Sequence, residues 1–367
     1  MRNFGLETWL LHDVVEEVME VRDWGFEGGN LCFRGRLRCP SSAASGRVRE
    51  FADSRGLTAF LSRDPLGACF RFQPAPRRRP SGRGHTQLLL LALTLVSTFL
   101  AGTLLSGVPA RAIMSNPRLI LGGANFALPL LLILGAHELG HYLAARRWGI
   151  RASLPYFIPF PNILGTMGAL IAIRDHFPSR RALLDVGLAG PLVGFVLSVA
   201  VILLGREDIR MVRFDPALSA EGAGNLYFGS SLLTSFLFSL GKAPLPSGYT
   251  YSLGPLAFAG WVGLFVTSIN LLPLGQLDGG HIAYAALGRG HGRLSGVAGI
   301  CIFLVGVFMR SPVWMFMLIM VVFLGVRHAP PLDDLTGLNP LRRVLAVLAL
   351  IIFIICFIPV PISFLGE

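Results

Sequence analysis

The chain has 367 residues, of which 53% are hydrophobic and only 14% charged, and its mean hydropathy is +0.62. So little charge on so much apolar surface excludes an ordinary soluble domain, and stretches near bilayer-spanning length follow one another from residue 87 onward. The formal net charge of +11 does not imply a nucleic-acid partner, because the arginines cluster in short loops between apolar spans, as the positive-inside rule demands, and no nucleic-acid-binding module is present.

In chain order, Leu6, Leu10, Leu11, Val14, Val15, Val18 and Met19 recur at helical spacing with Asp13, Glu16, Glu17 and Glu20 opposite, which predicts an amphipathic helix. The same early acids, with no short apolar core among them, argue against a signal or transit peptide. Residues 31–37 alternate apolar and basic, as a half-buried strand does, and a second helix (47–55) and two strands (57–62, 68–72) follow. Residues 1–75 therefore read as a small α+β cytoplasmic domain. The five cysteines, an odd number without paired spacing, read as small buried hydrophobes rather than disulfides.

Residues 76–86 form a basic linker whose Arg77, Arg78, Arg79 and Arg83 should hold this end in the cytoplasm. From 87 to 365 the pattern predicts about seven spans: 87–107, 120–145, 183–204, 255–274, 294–309, 313–326 and 344–364. Residues 154–173 are apolar but broken by Pro155, Pro159, Pro161, Gly165 and Gly168, and lie between arginines on one side. A re-entrant hairpin fits that pattern, with an interfacial loop as the alternative. Residues 205–253 are expected to be an outside loop. The fold expected is thus an all-α polytopic membrane protein with about seven transmembrane helices and a re-entrant hairpin, preceded by the small α+β domain. Its N-terminus would be cytoplasmic and its host membrane a bacterial inner membrane.

The second span carries Ala136-His137-Glu138-Leu139-Gly140-His141. Two imidazoles four residues apart lie on one helix face and can hold one metal ion, with Glu138 in reach as general base. A buried charge costs about 3 kcal/mol on insertion scales, so a bound metal is a physical reason to keep Glu138 and Asp278 in or at the ends of apolar spans. Zinc, one ion per chain, suits two histidines and a third protein ligand with a fourth position left for water. Asp278 is the first choice for that ligand, because its span returns to the depth of the histidines; His281 and His176 are the alternatives. Such an ion lowers the pKa of its water toward ~7, and Glu138 can accept the proton as that water attacks a carbonyl. A purely structural pair of interhelical histidines would leave Glu138 without a role.

His137-Glu138-Leu139-Gly140-His141 in one span, with Asn270-Leu271-Leu272-Pro273 and Leu277-Asp278-Gly279-Gly280 at the end of a later one, resembles the site-2 protease family of intramembrane zinc metalloproteases (peptidase family M50). Pro178-Ser179-Arg180-Arg181-Ala182-Leu183-Leu184-Asp185 running into Gly190-Pro191, and the later Pro331-Leu332-Asp333-Asp334, resemble its bacterial and plant-chloroplast branch. The resemblance covers about residues 85–365 and, more loosely, the N-terminal module. It implies hydrolysis of peptide bonds in or near transmembrane segments of other proteins, with His137, His141 and Asp278 as zinc ligands and Glu138 as catalytic base. It also implies that Asn270 touches the substrate backbone near the scissile carbonyl, where an amide donor suits a developing oxyanion; an interhelical hydrogen bond is the alternative for Asn270. The hairpin, with Gly165, Thr166, Met167 and Gly168, would pair with unwound substrate. No PDZ-like insert is seen. The competing functions are a catalytically silent escort on the same scaffold, disfavoured by Glu138, and a metal transporter, disfavoured by the few polar groups along the spans.

Overall fold

The computed structural model describes residues 5–75, 84–213, 226–241, 245–324 and 328–364. Arg77, Arg78, Arg79 and Arg83, which the topology reading used, lie outside the described residues.

The N-terminal region folds as α1 (Gly5–Val18), β1 (Met19–Glu27), β2 (Asn30–Leu37), α2 (Ser41–Ser54), β3 (Leu57–Asp64) and β4 (Gly67–Pro74). The strands form an antiparallel sheet in the order β1-β2-β4-β3. Leu11 and Val15 of α1, Val48 of α2 and Leu31, Phe33, Phe70 and Phe72 of the strands share one buried cluster. Met19 begins β1 instead of ending the first helix, and β1 as a whole escapes the sequence reading. Its alternation is broken by a register shift between Val21 and Asp23, so no clean two-residue period shows. Gly28 and Gly29, at φ +55 and +79, make the tight turn into β2.

The apolar region begins with α3 (Gly84–Leu105), which takes in the last three residues of the expected linker. A short α4 (Ala110–Ser115) and a 3₁₀ turn (Pro117–Gly123) lead to α5 (Ala124–Arg147). Gly149, at φ +68, ends α5 with Ile150 N–H reaching Ala145 O at 2.9 Å, a left-handed cap that only glycine adopts without strain. The hairpin β5 (Tyr156–Pro159) and β6 (Thr166–Leu170) follows, then α6 (Arg180–Leu204), started by Ser179, whose hydroxyl accepts from Ala182 N–H at 3.3 Å.

Residues 205–253 are not a plain loop. Among the described residues they hold β7 (Arg210–Arg213), β8 (Leu226–Phe228), the capped helix α7 (Leu232–Ser239) and β9 (Tyr249–Ser252), with β7 paired to β9. The chain continues through α8 (Pro255–Asn270), α9 (Asp278–Leu287), α10 (His291–Phe308), α11 (Pro312–Leu324), α12 (Pro340–Cys356) and β10 (Ile362–Phe364), the last pairing with β8. Among the described residues, four segments are long and apolar enough to cross a bilayer: Gly84–Leu105, Pro117–Arg147, Arg180–Leu204 and Asp278–Phe308. Shorter apolar helices include Pro255–Asn270 and Pro312–Val322. The protein is mostly helical and built for a membrane.

Helices α5, α6 and α8 form the centre. Phe126, Leu130 and Ile133 of α5 meet Leu183, Leu188 and Ile202 of α6 and Trp261 and Leu264 of α8 in one buried cluster. Small residues set the spacing: a Cβ on Gly140 would come within 2.8 Å of Ala189 O, and one on Gly260 within 2.9 Å of Ser198 O. The outer face of α5 keeps Leu128, Leu132, Leu139 and Leu143 exposed, as a helix bathed in lipid does.

Candidate active site

The buried stripe of α5 continues from Leu130 and Leu134 to His137, Glu138 and His141, all three less than 10% exposed. Spacing of four residues stacks the two imidazoles, and their Nε2 atoms lie 3.1 Å apart. His141 Nδ1 lies 2.7 Å from Val186 O. A carbonyl accepts only, so that nitrogen carries the proton and Nε2 presents a free lone pair.

The helix expected over 255–274 stops at Asn270. Leu271 to Leu277 form a turn, and Asp278 opens the next helix. The break is tight, since a Cβ on Gly279 would stand 2.0 Å from Leu271 O and one on Gly280 2.4 Å from Gly275 O. It aims Asp278 at the histidines: Oδ2 lies 3.3 Å from His137 Nε2 and 3.2 Å from His141 Nε2. These three atoms make a nearly equilateral triangle. A tetrahedral zinc with ~2.0–2.1 Å bonds sets its ligand atoms about 3.3–3.4 Å apart, so the triangle matches one face of such a site. Glu138 Oε1 stands 4.0 Å from His137 Nε2, beside the triangle rather than in it, and the ligand atoms of His137, Glu138 and His141 all fall within 4.8 Å of one another. Asn270 Nδ2 is 3.2 Å from His137 Nε2, on the same spot.

The two alternative ligands are engaged elsewhere. His281 Nδ1 is 2.5 Å from His328 Nε2, and its ring tilts against Phe177. His176 packs edge-on against Phe60, with centroids 5.2 Å apart.

The hairpin lies against α3 and α5. Ser97 Oγ donates to Gly165 O at 2.6 Å, Gly135 faces the Phe157 ring, and Ile171 N–H, one residue beyond β6, is directed at the Glu138 carboxylate. Thr166 is buried and braces the turn, its hydroxyl donating to Ile158 O at 2.8 Å and accepting from Gly168 N–H at 3.0 Å. Met167 is 48% exposed. Among the described residues β6 pairs with β5 alone, which leaves its other edge open.

Val186, Gly190 and Gly194 complete the site, although no motif marks them for it. The two glycines stand in the run Gly187, Gly190, Gly194 and in the quoted Gly190-Pro191, which indicate close packing and kinship but not what the glycines pack against. In the structure that face of α6 lies on the two imidazoles.

Residues 125–312, which hold His137, Glu138, His141, Asn270 and Asp278, match the family model for Peptidase family M50. The chain is 34% identical over 260 residues to a protein of Arabidopsis thaliana named probable zinc metalloprotease EGY2, chloroplastic, covering 69% of this chain and 44% of that protein. It is 39% identical over 181 residues to the protein of that name from Oryza sativa subsp. indica, covering 47% of this chain and 31% of the relative. With probable zinc metalloprotease EGY1, chloroplastic, of Arabidopsis thaliana it shares 34% identity over 241 residues, 64% of this chain and 43% of that one. The matches therefore span less than half the length of these relatives. With the family model covering half the chain and the His-Glu-x-x-His helix at its centre, the chain belongs to peptidase family M50.

Proposed function

We propose that this protein is an intramembrane zinc metalloendopeptidase that hydrolyses peptide bonds in or near the transmembrane segments of other proteins. The observation that carries the reading is the triangle of His137 Nε2, His141 Nε2 and Asp278 Oδ2, with edges of 3.1–3.3 Å and Glu138 beside it. In this reading those three residues hold one zinc ion per chain, the metal in the names of the relatives. Zinc there supplies a Lewis acid that activates water and polarises the scissile carbonyl.

Glu138 takes the proton of the attacking water and returns it to the leaving nitrogen as the C–N bond breaks. Val186 O fixes the His141 tautomer, and Asn270 donates its amide to the carbonyl oxygen as charge develops there. A substrate helix must unwind before its backbone is open to attack. The open edge of β6, with Gly165, Thr166, Met167 and Gly168, gives the unwound stretch a strand to pair with. The hairpin then acts at membrane depth, where irregular backbone is tolerated only against protein or a wet cavity.

Seven crossings follow if α3, α5, α6, α8, α10, α11 and α12 each span. The pairing of β8 with β10 supports this count, since it brings residues 226–228 and 362–364 to one side. Arg146, Arg147, Arg180, Arg181, Arg342 and Arg343 then share the other side with the N-terminal domain, in residues 1–75, which is the cytoplasmic one by charge bias. A bacterial inner membrane suits this orientation; the relatives' names place them in the chloroplast.

The test uses purified protein and a single-span substrate. Glu138→Gln should lower cleavage by about a thousandfold or more with zinc retained, and Asp278→Ala should lose zinc and activity together. Full cleavage by Glu138→Gln rules out the mechanism, and full zinc in a His137→Ala, His141→Ala double variant rules out the site.

A further inference from the structure

A cavity of about 600 Å³, mostly apolar, opens between α9 and α12 away from the triangle. Ala346, Leu350 and Phe353 of α12 form one wall, Ile282 and Ala283 of α9 another, and its inner end reaches Leu271, Pro273 and Gly279. Its mouth carries Arg180 and Arg343.

We propose that this cavity binds an anionic glycerophospholipid, an acyl chain filling it and the headgroup phosphate seated on Arg343. Three observations converge on that occupant. First, the cavity follows α12 from Arg343 to Phe353, ten residues or about 15 Å of helix, starting at the basic, interface end and running toward the bilayer interior. Second, its lining is apolar along that length, from Ala346, Leu350 and Phe353 on α12 to Ile282 and Ala283 on α9, the surface an acyl chain requires.

Third, the charge at the mouth is available. Arg342 is held by Asp185 at 2.7 and 2.8 Å, and Arg180 already donates to the carbonyls of Ala285 and Ala286 with Asp334 facing it. Arg343 is exposed, and its guanidinium makes no hydrogen bond or ion pair with the described residues. A free guanidinium at the end of an apolar slot matches a phosphate on an acyl chain.

The site has a consequence for the neighbouring one. Its inner wall is the turn between Asn270 and Asp278, so a chain packed there supports the backbone that aims Asp278. Lipid occupancy and the geometry of the triangle are then coupled. The binding claim itself does not depend on the reaction assigned above.

The experiment compares two photoactivatable lipids with identical acyl chains, phosphatidylglycerol and phosphatidylcholine, each bound to the full-length protein in mixed micelles. Mass spectrometry should find phosphatidylglycerol on α9 and α12 peptides in about fivefold excess over phosphatidylcholine, the factor expected of one arginine at the interface. Arg343→Gln should reduce that excess to none and Arg343→Lys should restore it. Ala346→Trp should block labelling by both lipids. Equal labelling by the two lipids in the wild-type protein, or an excess that survives Arg343→Gln, overturns the proposal. So does crosslinking of a single-span substrate into the cavity in place of lipid. The comparison of Gln with Lys at this exposed position stands even if Ala346→Trp fails to fold.

Discussion

A Cβ at Gly190 would stand 2.2 Å from Nε2 of His141, and one at Gly194 would stand 2.9 Å from Nδ1 of His137. Real Cβ atoms do not approach so closely, and the atoms in the way are ring atoms fixed by the Val186 hydrogen bond and by α5. These glycines are what allow a helix backbone to form one wall of the site. Gly190→Ala should therefore displace the His141 ring and lower zinc occupancy about tenfold or more in metal analysis of the purified protein, the loss usual for disturbing a ligand's support. Gly292→Ala, where nothing lies within 4 Å of the new methyl group, should leave zinc unchanged. Equal occupancy in both variants would refute this role for Gly190. At this scale His137, Glu138 and His141 were readable because their spacing is local: four residues make one helix turn. Asp278 was readable only by inference, since it sits 137 residues from His141 and needed a returning span to meet it. The role of Gly190 and Gly194 was not readable, because a glycine names only the absence of a side chain and not the neighbour that requires it.

The hairpin shows what an element adds to these residues. Gly165 sits at φ +74, and a Cβ there would lie 2.3 Å from Ser97 O, so its backbone presses directly on α3 while its carbonyl accepts from Ser97 Oγ. The hairpin touches the site through Ile171 N–H and Glu138 but supplies nothing to the triangle. Gly165→Ala should thus separate two functions, lowering kcat/KM for a transmembrane substrate about tenfold or more with zinc content unaltered. Loss of zinc in that variant would mean that the hairpin supports the metal site instead. Its prolines and glycines announced a broken segment, and an antiparallel pair is found there. Strand β1 left no such signal, because its bulge interrupts the alternation, and the 205–253 region hid its strands because their partners are far apart in sequence, β8 meeting β10 across more than a hundred residues. The break between α8 and α9 was likewise blurred: residues 271–274 are as apolar as the helix they end, and only Pro273 and Gly275 mark the turn.

Across the whole molecule, one short segment ties the N-terminal sheet to the helices. Residues 331–336 lie along the edge of β3, with Leu61 N–H donating to Leu332 O at 2.7 Å and Asp334 N–H to Leu61 O at 3.0 Å. On the other side Leu332 and Asp333 donate to Phe177 O and Pro178 O, at the start of α6. The segment thus closes an exposed sheet edge and links it to the helix that lines the histidines. Ser41 with Thr336 at 2.8 Å and Arg289 with Arg63 O add lesser contacts. The segment keeps its shape through Asp333, buried to 3% exposure, whose carboxylate accepts from Leu335 N–H, Thr336 N–H and the Thr336 hydroxyl. Removing that carboxylate strands buried donors at a cost of about 2–4 kcal/mol, enough to open a local segment without unfolding a domain that has its own core. In Asp333→Ala, amide hydrogen exchange at Leu61 and Asp334 should quicken about tenfold or more, while the β2–β4 ladder exchanges as before. If the ladder quickens equally, the sheet depends on the segment for its fold. If neither changes, Asp333 does not hold the segment in place. The first outcome leaves a folded domain loosened from α6, and cleavage measured on that variant then reports what the attachment contributes to the site.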